Sequence, residues 1–271
     1  MSVLIQDALD IIKHDLHMEL SANLVCHIIL YADDTLLVEE HPSHLQTIMG
    51  IIMELGKQYG LQLNWGKVEC MPVRCSCDIK NPDGENIANT LRMKYLGAQI
   101  ASDGHINIEL SQKLGLAARD FKILKSIWSH AYITCKFKYQ IYSACILQKL
   151  LYGLDGIVLN KAEQKRLDAF HSRCLRSILR ISPAYISRVS NAYALKKMEV
   201  PALSQILVER QLILFGNIYR MDNQHPVRQS VFETNSSTLN LRSLEGRRVG
   251  RPHSAWAPKL LQIALLSLIH I

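Results

Sequence analysis

The chain has 271 residues, and its 48% hydrophobic and 20% charged residues are typical of a globular protein with one large domain or two smaller ones. No apolar run reaches the roughly 20 residues that a membrane helix needs, and the first residues do not have the pattern of a secretory signal, so we expect no membrane association. Seven cysteines, an odd number scattered along the chain, favour reduced thiols and an intracellular protein, cytoplasmic or nuclear.

The charge is divided unevenly along the chain. Residues 1–100 carry seven basic and 13 acidic side chains, a net charge of −6, whereas residues 101–271 carry 24 basic and 11 acidic side chains, a net charge of +13. Acidic groups can hold metal ions and a basic helical region can bind phosphate backbones, so the division indicates two tasks. A basic surface that is only solvated is the alternative.

The first part of the chain predicts an α+β unit with a largely antiparallel sheet. Its predicted elements are a helix at 3–20, strands at 24–31 and 35–39, a helix at 43–59, a short strand region at 61–73 that is interrupted near Asn64–Gly66, and a strand at 93–100. Because the first two strands are apolar and separated by only a few residues, they predict a tight hairpin with Ala32, Asp33 and Asp34 at its tip. The turn at Ser102, Asp103 and Gly104 closes this unit.

The second part of the chain is predicted to be mainly helical. Helical patterns cover 108–129, 134–151, 161–179 and 201–220, with Pro183 and Pro201 at the breaks. From 222 to 258 the chain is polar and predicts a loop. We therefore predict three regions, which are an α+β unit at 1–104, a helical unit at 105–221 and a basic, partly disordered arm at 222–271.

Asp33 and Asp34 are the residues with the clearest chemical meaning. Two adjacent carboxylates beside an apolar hairpin are costly unless a cation neutralises them, and Mg²⁺ prefers carboxylate oxygens. Two such ions a few ångströms apart can activate a 3′-hydroxyl and stabilise leaving pyrophosphate. An exposed Asp-Asp turn without a ligand is the alternative, since aspartate is common in turns.

Three motifs, in order, resemble the reverse transcriptases of non-LTR (LINE-type) retrotransposons. Tyr31-Ala32-Asp33-Asp34 matches that family's polymerase signature on the palm hairpin. Residues 60–67, GLQLNWGK, are similar to the family's Gly-Leu-x-x-Asn-x-x-Lys motif, and residues 94–97, KYLG, resemble the Tyr-Leu-Gly element that ends the palm. The resemblance implies an α+β palm fragment, with a catalytic-type hairpin and packed helices, followed by a thumb-like helical region.

The resemblance extends into the basic half of the chain. Residues 150–153, LLYG, and the basic helix through Arg176 are similar to the family's thumb, and residues 215–221 resemble a later stretch that commonly carries His where Asn217 stands. Residues 246–252, GRRVGRP, followed by Trp256, are similar to the family's distal Gly-Arg-x-x-Gly-Arg-Pro segment. The likeness therefore covers nearly the whole chain.

The resemblance also implies roles for individual residues. Asp33 and Asp34 would be metal ligands and catalytic residues, and Lys67 would approach the incoming triphosphate and donate a proton to pyrophosphate, with a plain surface lysine as the alternative. The residues expected near primer or substrate are Tyr31, Tyr95 and Gly97. Arg247, Arg248 and Arg251 are expected to contact phosphates, unless the arm is only solvated.

The implied cofactor is a pair of Mg²⁺ ions, and the implied partners are an RNA template, a DNA primer and deoxynucleoside triphosphates. The family's palm also has an earlier strand with an Asp that completes the metal site, and a Gly-rich motif after it. Only 30 residues precede Tyr31, and Asp7, Asp10 and Asp15 lie on a helical pattern. We therefore expect the C-terminal part of a polymerase, without fingers and inactive alone.

Two other interpretations stay open from the sequence. One is a non-catalytic remnant that binds nucleic acid, and the other is a degenerate retroelement reading frame. Asp33 and Asp34 favour polymerase ancestry, while the missing third carboxylate favours the other two for this chain alone. Whether the chain is itself an enzyme is left open.

Overall fold

Two units make up the chain, Met1–His105 and Ile106–Ile271. The computed structural model describes residues 4, 7, 8, 10, 11, 28–104, 106–240 and 255–269. Among these residues, no helix combines the length and the apolar character that crossing a membrane would require.

The first unit is built on two short β-hairpins and one long helix. Its elements are β1 (Ile28–Tyr31), β2 (Asp34–Leu37), α1 (Pro42–Gln58), a 3-10 turn (Trp65–Lys67), β3 (Arg92–Tyr95) and β4 (Ala98–Ala101). The predicted hairpin and the helix after it are confirmed. The predicted antiparallel pairing is confirmed, but the single sheet is wrong, because the described strands form two separate antiparallel pairs, β1–β2 and β3–β4. Of the helix predicted at 3–20, only Leu4, Asp7, Ala8, Asp10 and Ile11 are described, and they are helical.

The strand region predicted at 61–73 is also wrong. After Gly60, which has a φ of +70°, the chain forms the 3-10 turn Trp65–Lys67, in which the Lys67 N–H donates to the Asn64 carbonyl (2.9 Å). A single β-bridge joins Cys70 to Asn89. The asparagine and two glycines interrupt the alternation that a strand needs, and the leucines at 61 and 63 are exposed.

Helix α1 packs against the first hairpin. The helix begins at Pro42, a residue suited to the first turn because it has no N–H to satisfy. Its buried Ile48 and Ile52 form a core with Ile28, Leu30 and Leu37 of the hairpin. One face of the hairpin is therefore fixed on the helix, while its tip and its other face remain accessible.

In its described residues, the second unit is mainly helical. Its elements are α2 (Asn107–Ile123), α3 (Lys125–Ser129), α4 (Cys135–Tyr142), a π-helical turn (Ser143–Leu147), α5 (Gln148–Leu151), α6 (Lys161–Ile178), α7 (Ala184–Ser187), α8 (Asn191–Met198), α9 (Leu203–Arg220), α10 (Pro226–Val231) and α11 (Trp256–Ile269). The four long helical patterns are confirmed, with a break at Leu124. The loop predicted at 222–258 is wrong at α10, because Phe232 behind it is buried against Phe215 and Ile218 of α9.

Helix α6 lies at the centre of the second unit. It begins at a capping box, in which the Asn160 side chain accepts the N–H of Glu163 (3.0 Å) and the Glu163 carboxylate accepts the N–H of Asn160 (2.7 Å). Its buried face carries Leu167, Phe170 and Leu175. The helix contacts α2, α3, α4, α8 and α9, so its apolar face holds most of the unit together.

A polar pair is buried in this core. The Tyr142 hydroxyl lies 3.1 Å from Nδ1 of His171, whose side chain is fully buried. Burial lowers the pKa of His171 to about 4, although the negative charge of Asp168 acts in the opposite direction. His171 is therefore neutral at physiological pH and can form part of the core.

Arg176, near the end of α6, organises the segment that follows. Its side chain is 5% exposed, and its guanidinium donates to the carbonyls of Ser182 and Val189 and to the side chains of Ser187 and Asn191. These acceptors are neutral and span ten residues of irregular chain. Hydrogen bonds from this one buried cation therefore hold the 182–191 segment, which includes α7, against the end of α6.

We predict that Arg176→Met lowers the free energy of unfolding by about 3 kcal/mol, because buried carbonyls would be left without a donor. Arg173→Met is the matched control on the exposed side of the same helix and is expected to change stability by less than about 0.5 kcal/mol. Urea unfolding followed by tryptophan fluorescence measures both. Equal effects of the two substitutions would contradict the role given to Arg176.

Candidate active site

The tip of the first hairpin is a two-residue turn. Tyr31 pairs with Asp34 across the strands, which leaves Ala32 and Asp33 as the turn residues. Ala32 has a φ of +54° and Asp33 does not share this sign, the pattern of a type II′ turn. Glycine is preferred at the first of these positions, so the alanine holds a conformation that is unfavourable for it.

The carboxylates lie on the accessible side of the hairpin. Successive strand residues point to opposite faces, so Ile28 and Leu30 pack on α1, whereas Ile29 and Tyr31 point away and are 41% and 64% exposed. Because directly paired residues share a face, Asp34 lies on the same outer face as Tyr31. Asp33, in the turn, is also exposed.

The second hairpin carries the Tyr-Leu-Gly motif at its own tip. Tyr95 pairs with Ala98, and the two turn residues Leu96 and Gly97 have φ values of +48° and +81°. Positive φ at both positions is the pattern of a type I′ turn, for which Asn-Gly is the preferred sequence. Leucine, like Ala32 in the first hairpin, is an unfavourable residue for this position.

Tyr95 joins the two hairpins. Its hydroxyl donates to the carbonyl of Ile29 in β1 (3.3 Å). Burial raises the pKa of Tyr95, and the negative charge of Asp34 raises it further. The structure therefore brings Tyr31, Asp33, Asp34, Tyr95 and Gly97 into one region of the first unit.

Of the remaining predicted site residues, the structure describes only Lys67. Lys67 is exposed in its 3-10 turn, and none of the contacts described for it reaches either hairpin. Arg247, Arg248 and Arg251 lie outside the described residues. Sequence reasoning missed the Ile29 carbonyl, because a backbone acceptor gives no signal in the side-chain pattern.

The donor set at the hairpin fits a hard divalent cation only in part. Carboxylate oxygens of Asp33 and Asp34 are suitable ligands for Mg²⁺. However, no group of three or more His, Cys, Asp or Glu residues within the described part of the chain could hold a metal ion. Asp7, one of the acidic residues near the start, instead accepts a hydrogen bond from the Tyr59 hydroxyl (2.7 Å).

Comparison with known proteins shows what the first unit is similar to. Residues 2–100 match the family described as reverse transcriptase (RNA-dependent DNA polymerase). This segment is therefore similar to the reverse transcriptases. The match covers the tips of both motif hairpins. It confirms the prediction, made from the motifs, of a retroelement reverse transcriptase.

The chain is also similar to an uncharacterized transposon-derived protein of Caenorhabditis elegans. The two are 23% identical over 157 residues, which are 56% of this chain and 56% of the relative. The chain thus spans little more than half the length of this relative. No solved structure matches the chain.

We predict that Leu96→Asn stabilises the first unit by about 1 kcal/mol, because asparagine tolerates the left-handed conformation that leucine resists. Met93→Asn, in the adjoining strand, is the control and is expected to destabilise the hairpin. Hydrogen exchange of peptides covering 92–101 reports both changes. Faster exchange in Leu96→Asn would show that the turn does not have this geometry.

Proposed function

We propose that the chain is the palm and thumb part of a LINE-type retrotransposon reverse transcriptase, which extends a DNA primer on an RNA template from deoxynucleoside triphosphates. The observation that carries the proposal is the contact of Tyr95 with Ile29, beside Asp34. It joins the signature hairpin to the Tyr-Leu-Gly hairpin inside the segment that matches the family. The two motifs, far apart in the sequence, are thus neighbours in the fold.

Each residue has a defined part in this proposal. Asp33 and Asp34 would hold Mg²⁺, which in this family activates the primer 3′-hydroxyl and stabilises pyrophosphate. Tyr31 would lie against the primer end, since its ring is exposed on the face that also carries Asp34. Gly97 and Tyr95 would support that face, and Lys67 would meet the triphosphate only if substrate binding brings it closer.

We also propose that this chain alone does not catalyse the reaction. Two-metal transfer needs carboxylates on both sides of the metal pair, and Asp33 and Asp34 of the first hairpin would supply only one side. Asp7 accepts a hydrogen bond from Tyr59. Among the described residues, Asp33 and Asp34 have no third metal-binding side chain close enough to complete a metal site. A missing ligand costs several kcal/mol of transition-state stabilisation, and each ~1.4 kcal/mol is about tenfold in rate.

A second candidate function is nucleic-acid binding without chemistry. The charge of the second part of the chain favours it, because residues 101–271 carry a net charge of +13. This function is compatible with polymerase ancestry, and it differs from the first only in whether primer extension occurs.

Primer extension on an RNA template with Mg²⁺ tests whether this chain alone catalyses the reaction. We expect the wild-type chain to extend no more primer than Asp33→Ala, while both bind the template–primer. Asp83→Ala, an exposed acidic residue in another turn, is the matched control. Extension by the wild type and by Asp83→Ala that is lost in Asp33→Ala would contradict the inactivity and show that another acidic residue completes the site.

A further inference from the structure

Two segments of the second unit contain no acidic residue. Residues 121–154 and 169–198 together carry 11 Lys and Arg and no Asp or Glu. The segments meet at the C-terminal end of α6, where Arg180 donates to the Ser129 carbonyl (2.6 Å) and the Cys135 thiol lies 3.9 Å from the Ile178 carbonyl. We call residues 129–137 and 180–197, two segments that contain no Asp or Glu and that these contacts join, the acid-free surface.

Two buried cations add to the positive charge beneath this surface. Lys138 is 3% exposed and donates to the carbonyls of Trp128 (2.9 Å) and His130 (2.8 Å), and Arg176 is held by neutral oxygens as described above. Neither side chain has a carboxylate within ion-pair distance among the described residues. Carbonyl groups carry no net charge, so both cations add to the net positive charge of this part of the unit.

The acid-free surface also exposes aromatic rings. Tyr132 is 93% exposed, Tyr185 is 75% exposed and Tyr193 is 50% exposed. Tyr185 lies in the segment that Arg176 holds, and Tyr132 lies beside the carbonyls that Lys138 holds. The two buried cations therefore fix the backbone that presents Tyr132 and Tyr185, which lowers the entropy that a ligand would have to remove.

We infer that the acid-free surface binds single-stranded nucleic acid, with phosphates on its basic side chains and bases stacked on Tyr132, Tyr185 and Tyr193. Base stacking on aromatic side chains along a basic surface is the physical basis of sequence-tolerant single-strand binding. A duplex offers its phosphates but hides the faces of its bases, so it would leave these rings unused. The inference rests on the proposed function and adds to it the surface, the strand form and the stacking contacts.

Binding of labelled oligo(dT) and oligo(rU) of about 20 nucleotides tests this inference on the full chain. The variant Tyr132→Ala/Tyr185→Ala/Tyr193→Ala is expected to lose tenfold or more in affinity for at least one oligonucleotide, whereas the corresponding Phe variant keeps it because the rings remain. Tyr59→Ala, a similarly exposed tyrosine of the first unit, is the matched control and should bind as the wild type does. The two oligonucleotides report whether the strand is DNA, RNA or either.

An abasic oligonucleotide of the same length separates stacking from charge. It should bind more weakly than oligo(dT) and should not distinguish the alanine variant from the wild type. Equal affinity of the alanine variant and the wild type for both oligonucleotides, or abasic binding as tight as oligo(dT), would overturn the inference. If the triple variant does not fold, Tyr132→Ala alone, at the most exposed ring, decides by the same criteria.

A template–primer duplex in the same assay keeps the two proposals apart. The inference would be overturned if the chain bound the duplex but no single strand, or if its single-strand binding did not depend on the tyrosines. Either result would leave the proposed function standing. Tyrosine-dependent single-strand binding without any duplex binding would support the inference and contradict the proposed function.

Discussion

The second unit depends on helix α6 and on the buried cation near its end. The apolar face of α6 is the common contact for five other helices, and Arg176 ties the following ten residues to it through neutral oxygens. A buried charge without a carboxylate is costly unless its hydrogen bonds are satisfied, and here five of them are formed. The same charge adds to the net positive charge of the part of the unit that carries the proposed nucleic-acid surface.

The first unit depends on a different constraint, the meeting of two hairpin tips. Each tip holds a residue other than glycine in a left-handed conformation, Ala32 in one and Leu96 in the other. Such strain persists only where the surrounding structure enforces it, and it is common at functional sites. Its presence at both motifs, joined by Tyr95, links the local backbone to the reverse transcriptase match of residues 2–100.

The hairpin, α1 and the long helices could be predicted from the sequence because each has a periodic apolar pattern and a clear start or end. The division into two separate sheets could not be predicted, because pairing of distant strands leaves no local pattern. At 61–73 the interruption near Asn64–Gly66 was visible in the sequence, and in the structure it prevents a strand. The site residues at the hairpin tips followed from motifs. The Ile29 carbonyl and the support by Arg176 required the fold, since backbone acceptors are invisible in a sequence.

The salt dependence of template–primer binding tests most directly the central claim that the basic unit holds phosphates. Affinity should fall linearly on a log–log plot with salt, and Arg188→Gln/Lys197→Gln should reduce the slope by about two, because each phosphate contact contributes about 0.9. Lys57→Gln/Lys80→Gln, exposed lysines of the first unit, should leave the slope unchanged. Affinity that does not vary with salt, or an equal change in both variants, would contradict the claim.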